Sequence, residues 1–227
     1  MQPLTLIPNL IEQVHLRLVD AIADGTLAPG ERLTQEEVAH RLSVSRQPVS
    51  HALQLLKRQG LAVEIGKRGL AVAPVEPNRM RDLYQVRGVL DGLAARLAAE
   101  RVLGGRAPAR EVDGLKLRLD EGLSLGDDSP VREWIEKDVA FHSAIHALSG
   151  NPAIAESVEQ QWPHFKRSMG ASLIDPSART PVWVEHVDIA EAIFAGNATR
   201  ASEASVSHTE RAGRALYDRL FAAADAA

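Results

Sequence analysis

The stretch Leu33–Gln59, reading LTQEEVAHRLSVSRQPVSHALQLLKRQ, limits what this chain can fold into more than any other. Thr34 followed by Glu37 is a capping box, in which the Thr oxygen and the Glu carboxylate satisfy amides that a helix start leaves unpaired. A short helix carrying Val38, Ala39 and Leu42 is expected there, with a break at Ser43-Val44 and a second helix restarting with Ser45 as N-cap and running to Gln59. Val49, Ala52, Leu53 and Leu56 recur at helical spacing, whereas Arg46, Gln47, Ser50, His51, Gln54 and Lys57 fall outside that stripe. Two short helices joined by a tight turn, the second exposing hydrogen-bonding side chains near its start, is a plan suited to reading a DNA major groove.

Any helical protein contains helix pairs with polar outer faces, so this stretch alone leaves a purely structural reading open. The next segment of the chain narrows the choice. Leu61–Ile65 and Leu70–Ala73, either side of Gly66-Lys67-Arg68-Gly69, read as two short strands around a basic turn, a wing. From Arg41 to Arg68 there are six cations and one anion, Glu64, a local balance of +5 that suits phosphate contacts.

The runs Ile22–Gly30 (IADGTLAPG), Arg32-Leu33, Val44–Val49 (VSRQPV), Ala52-Leu53 and Gly60-Leu61 resemble the DNA-binding domain of GntR-type bacterial regulators, over about the first third of the chain. The resemblance implies a winged helix-turn-helix on a double-stranded DNA operator, with Thr34, Gln35, Arg46, Gln47, Ser50, His51, Lys67 and Arg68 as the residues offered to DNA. Two positions depart from it: the family usually has Arg at Ser50 and an acidic residue at His51, so the operator sequence does not carry over.

The net charge of −4 argues against nucleic acid until its placement is read. Residues 1–76 hold eight Lys/Arg and eight Asp/Glu, so the remainder, 18 against 22, carries the whole −4: a neutral module with a basic edge joined to an acidic one. The prolines of Ala73-Pro74-Val75-Glu76-Pro77 mark the join. The expected division is a winged domain over 1–74, a linker over 75–77 and a helical domain over 78–222. The sequence contains no cysteine, which excludes disulfides and thiolate metal sites or nucleophiles. Neither a spanning apolar run nor a signal peptide is present, so the expectation is a cytoplasmic protein with no membrane partner.

Beyond the linker the pattern is helical throughout. Leu83, Val86, Leu90, Leu93 and Leu97 suggest the core stripe of a first helix over 78–103, and a second covers 110–125. Ser129-Pro130, Asn151-Pro152 and Thr180-Pro181 look like caps followed by proline at the first helical position, and Thr199–Ala223 supplies the last helix. The expected class is mostly α, with a small two-stranded wing and an antiparallel bundle of about six helices.

Three of these helices place ionisable groups on an inward stripe. The register Val131, Ile135, Asp138, His142, Ile145 sets a carboxylate and an imidazole one turn apart, a pair expensive to bury without partners. Val182, His186, Ile189 and Ile193 do the same with one imidazole, and His208 shares a face with Ala204, Ala212 and Ala215. One Asp and three His converging in a bundle would suit Zn²⁺, Ni²⁺, Mn²⁺ or Fe²⁺, Zn²⁺ foremost. Singly, each His is more often a satisfied core or surface residue than a ligand, and His146, one turn past His142, can stand in for it.

Asp138–His142 (DVAFH), Gly150-Asn151-Pro152, His186 and His208 resemble the effector domain named FCD, found in one branch of the GntR group, over about residues 78–222. The resemblance implies that Asp138, His142, His186 and His208 bind a divalent ion that helps to hold a small organic acid, and that Arg87 pairs with the acid's carboxylate. Asp91, one turn after Arg87, replaces the Glu more common there, and an i,i+4 ion pair on a solvated face is the plainer reading of these two. The function expected is a homodimeric, metabolite-responsive transcription regulator, more often a repressor released by its effector. A metal-dependent enzyme using the Asp/His cluster is the alternative, but no HExxH-type arrangement supplies a general base.

Overall fold

The computed structural model describes residues 10–66, 69–126, 128–173 and 179–225. Lys67 and Arg68, expected in the turn of the wing, lie outside them. The chain divides after Val75 into two compact units, 1–75 and 76–227.

In the first unit α1 spans Leu10–Ala23, α2 Gln35–Leu42 and α3 Arg46–Gln59. The α2–α3 turn is sharp because Ser43 adopts a left-handed conformation (φ 53°), the one non-glycine residue with positive φ among those described. The Val44 amide then reaches back to the Ala39 carbonyl at 3.0 Å and closes the first helix. Val14, Leu18 and Ile22 of α1, Val38 and Ala39 of α2, and Val49, Ala52, Leu53 and Leu56 of α3 form one apolar core. Leu10, at the start of α1, is 45% exposed and takes no part in it. Strands β2 (Ala62–Ile65) and β3 (Gly69–Val72) pair antiparallel as the expected wing, and the sheet gains a third member, β1 (Arg32–Leu33), on the outer side of β3. A two-residue strand has no alternation to read, so only the pairing of Arg32 with Ala71 and Leu33 with Leu70 reveals it.

The second unit contains seven helices among the described residues: α4 (Pro77–Leu103), α5 (Ala109–Leu123), α6 (Val131–Ser149), α7 (Pro152–Glu159), α8 (Trp162–Leu173), α9 (Arg179–Phe194) and α10 (Ala198–Asp225). The extra helix arises because the segment after Asn151 breaks in two. Had α7 continued, Pro163 would sit in its interior without an N–H and against a preceding carbonyl; in α8 it occupies the first turn, where both penalties vanish. Pro77 likewise opens α4 rather than staying in the linker. Of the three proline caps, Asn151 accepts the Ala153 amide with Pro152 first in the helix. Pro130 is itself the cap position of α6, and α9 begins before Pro181, at Arg179.

The stripe expected on α4 is rotated. Val86 is 51% exposed and Leu83, Leu90, Leu93 and Leu97 are half-buried, whereas Met80, Tyr84, Arg87, Gly88, Asp91, Gly92, Ala95 and Ala99 are buried. Small residues let α10 come close: a Cβ at Gly92 would meet Val206 at 2.5 Å, and one at Gly213 of α10 would meet Tyr84 Cβ at 2.7 Å. The leucine spacing therefore marks the shoulders of the helix, and its centre line carries Arg87 and Asp91.

Candidate functional site

On the first unit, Gln35, Arg46, Gln47 and His51 are exposed, and Thr34 and Ser50 partly so. The start of α2 and the start of α3 meet where Gln35 Nε2 donates to Ser50 Oγ at 3.3 Å. Thr34 caps α2, its Oγ1 accepting the Glu37 amide at 3.2 Å. Ser45 holds the N-cap position of α3 without a side-chain cap bond, so its exposed hydroxyl joins this face, a contribution the capping pattern hid. The cations are less free than the count from Arg41 to Arg68 suggested. Arg46 pairs with Glu36 at 2.9 Å and Arg41 with Glu31 at 4.0 Å, both acids lying outside that window, and Lys57 pairs with Glu64. Exposed pairs of this kind are worth about 0–1 kcal/mol, so they can open for a phosphate at little cost.

In the second unit Asp138 and His142 of α6, His186 of α9 and His208 of α10 converge, each buried, with one ligand atom apiece within 4.8 Å of the others. His186 Nε2 lies 3.3 Å from His208 Nε2 and 3.5 Å from Asp138 Oδ1, and His142 Nε2 is 3.9 Å from Asp138 Oδ2. Donors bound to one ion at about 2.0–2.2 Å sit roughly 3.3–3.6 Å apart, close to these spacings. Asp138 Oδ2 and His142 Nε2 are buried without a hydrogen bond, and two orphaned acceptors facing one point fit a cation. Burial pushes the Asp138 carboxyl up and holds His142 and His186 well below the ordinary imidazole value of 6.5, the Arg87 charge also lowering both histidines. Neutral imidazoles with free lone pairs are the form a metal ion needs.

His146 does not stand in for His142. Its Nε2 bonds Asp91 Oδ1 at 2.7 Å. Asp91 also accepts from Arg87 Nε at 3.0 Å and Thr209 Oγ1 at 3.1 Å. Burial alone would raise the Asp91 carboxyl; the Arg87 charge and the bonds from His146 and Thr209 outweigh it and hold it below the usual carboxylate range. The Arg87–Asp91 ion pair is thus real, but it lies in the interior, 3% and 1% exposed, rather than on a solvated face. The guanidinium carbon sits 4.9 Å from the ring centres of both Trp162 and Phe165. Only Nε is engaged: the two Nη nitrogens have no hydrogen-bond partner among the described residues.

A cavity of about 200 Å³ opens beside this network, and Arg87, Asp138, His208 and Thr209 line its polar end. Glu185 is the functional candidate that sequence spacing missed. Its Oε2 accepts from His208 Nδ1 at 2.7 Å and its Oε1 from Arg211 Nε at 2.9 Å, which fixes the His208 tautomer and aims the Nε2 lone pair inward. A Glu directly before His186 reads as a solvated neighbour, and only the α9–α10 packing turns it toward His208.

Residues 82–211 match the family profile described as the FCD domain, and residues 10–72 the profile described as bacterial regulatory proteins, gntR family. Over 212 residues the chain is 29% identical to an uncharacterised HTH-type transcriptional regulator in an unstable DNA locus of Streptomyces ambofaciens, spanning 91% of this chain and 83% of that protein. The crystal structure of a putative transcriptional regulator GntR from Rhodococcus sp. RHA1 is 25% identical, with a TM-score of 0.75 over 91% of this chain and 96% of that one. McbR/YncC of E. coli shares the fold at 20% identity, with a TM-score of 0.79 over 94% and 100% of the two chains.

Proposed function

The chain belongs to the GntR family of DNA-binding bacterial transcription regulators, in the branch that carries an FCD domain, and from there we propose that its operator affinity is set by a small carboxylate held at a metal ion in the helical unit. The family and the relatives found are regulators, not enzymes.

One observation carries the reading: Arg87, whose two Nη nitrogens are unbonded among the described residues, lines one cavity together with Asp138 and His208 of the Asp138/His142/His186/His208 cluster. Asp138 Oδ2 and the three imidazoles would hold one divalent ion, Zn²⁺ by preference for three nitrogens and one oxygen. The ion supplies positive charge and open coordination positions for a carboxylate oxygen. Arg87 supplies the second cation, in a planar fork matched to a carboxylate, and Asp91 holds that fork in place by its Nε. On the first unit, Thr34, Gln35, Arg46, Gln47, Ser50 and His51 supply the DNA face, Lys67 and Arg68 extending it from the wing. The protein works as a homodimer, since paired half-sites require two-fold symmetry. The outward Val86 and Val89 of α4, 51% and 69% exposed, support a partner on that side.

Acid binding releases DNA in this scheme, by the roughly 5–150-fold typical of coupled sites. The test joins calorimetry to a gel-shift titration. Arg87→Ala should bind acid at least about tenfold more weakly while keeping stoichiometric metal and effector-free operator affinity. If the variant binds acid as tightly as the parent, Arg87 does not recognise the effector.

A further inference from the structure

The remainder of the cavity restricts the acid further, an inference that rests on the effector reading above. Beyond the polar end its walls are Met169 and Leu173 of α8, Pro181 and Val182 of α9, and Ala212 and Ala215 of α10. Among the described lining residues the cations are Arg87 and Arg211. Arg211 is committed, its Nε and Nη2 on Glu185 Oε1 and its Nη1 on the Ser207 hydroxyl, and it is half exposed. Thr209, a neutral polar group of the lining, is committed as well, donating to Asp91.

A second carboxylate on the ligand would therefore meet the aliphatic side chains of Met169, Leu173 and Val182 and the like charge of Glu185, with Arg211 already held by Glu185 and Ser207. Burying an unpaired charge in such a setting costs far more than burying a methyl group gains. An apolar body, by contrast, gains from each group it places against Met169, Leu173 and Val182. The volume, about 200 Å³ against roughly 300–1,000 Å³ for sites that take drug-sized ligands, keeps that body small.

We propose that the cavity selects a compact monocarboxylate with an apolar body, its carboxylate at Arg87 and the Asp/His cluster and its body between α8 and α9, and that Met169 is a residue determining this specificity. The experiment is calorimetry on the full zinc-loaded protein with two probes of equal backbone length and opposite second ends, 3-methylbutanoate and succinate. 3-Methylbutanoate should bind at least about tenfold tighter than succinate. Met169→Lys, at a half-buried position where the ammonium can reach water, should reverse the order by giving succinate a partner for its second carboxylate.

Succinate binding as tightly as, or tighter than, 3-methylbutanoate in the parent protein overturns the proposal whether or not the variant folds. If that binding is lost in Arg87→Ala, the acid-binding reading survives and only the selectivity is wrong. If neither probe binds at millimolar concentration, the selectivity and the acid-binding reading fall together.

Discussion

Asp91 illustrates how much a single residue decides here. It accepts hydrogen bonds from Arg87, His146 and Thr209, on three different helices, and so converts a buried arginine into a fixed donor pair. Glu185 plays the corresponding part for His208. Glu185→Gln keeps the shape but weakens the pull on the imidazole proton, and metal affinity should fall about 10–100-fold in competition with a chromophoric chelator. The metal-free protein should also carry a pH signature. His142 and His186 titrate below 6.5 in the folded state, so between those lowered values and 6.5 the unfolded chain binds protons that the folded one does not. Stability present above pH 6.5 is then lost as pH falls, seen as a declining melting temperature in chelated protein. Asp138, raised from 3.8 by burial, acts in the opposite sense, so a His142→Asn/His186→Asn comparison isolates the imidazole part by flattening the curve.

Among the secondary-structure elements, the α4–α10 pair positions the cavity, because Arg87 and Asp91 come from one helix and His208 and Thr209 from the other. Gly213 allows that approach. Gly213→Ala gains roughly 1 kcal/mol of helix propensity. Its Cβ would lie 2.7 Å from Tyr84 Cβ and 2.9 Å from Cγ, contacts that no flexible end can yield, and such overpacking costs about 1–3 kcal/mol. A net loss of stability is expected in chemical denaturation, with weaker acid binding because Tyr84 borders the cavity. On α3, Arg46 is exposed and its partner Glu36 holds it only weakly. Arg46→Ala should cost about 1–3 kcal/mol of operator affinity and relax specificity at one base pair, if it reaches a guanine; a gel-shift titration on single-substituted operators gives the answer.

At the scale of the molecule, the two apolar cores share no residue among those described: one runs from Val14 to Val72, the other from Ala94 to Ala201. The Asp138/His142/His186/His208 cluster belongs wholly to the second unit. Calorimetric unfolding should therefore resolve two transitions, and adding Zn²⁺ at about 1,000 times its dissociation constant should stabilise one of them by about 4 kcal/mol. Movement of the other transition instead would place the ion elsewhere. Among the described residues no helix is long and apolar enough to cross a membrane.

Local rules account for the features that could be read from the residues alone. The Thr34 cap on the Glu37 amide, the Ser43 break and the apolar spacing of α3 each act within a few residues, and the structure reproduces them because capping and helical periodicity do not depend on distant partners; the reciprocal bond from the Thr34 amide to the Glu37 carboxylate is not formed. The inward registers of Asp138, His142 and His186 were legible for the same reason, since a three-and-four spacing of apolar neighbours identifies the buried face. Packing between helices settled the remainder. The leucines of α4 promised the wrong stripe because a helix packed on several sides has no single apolar face, and the close approach of α10 selected the glycine and alanine line instead. The i,i+4 pairing of Arg87 with Asp91 was legible locally, but its burial, the diversion of His146 to Asp91 and the role of Glu185 depend on groups 23 to 118 positions apart along the chain, and no local spacing encodes which of these meet.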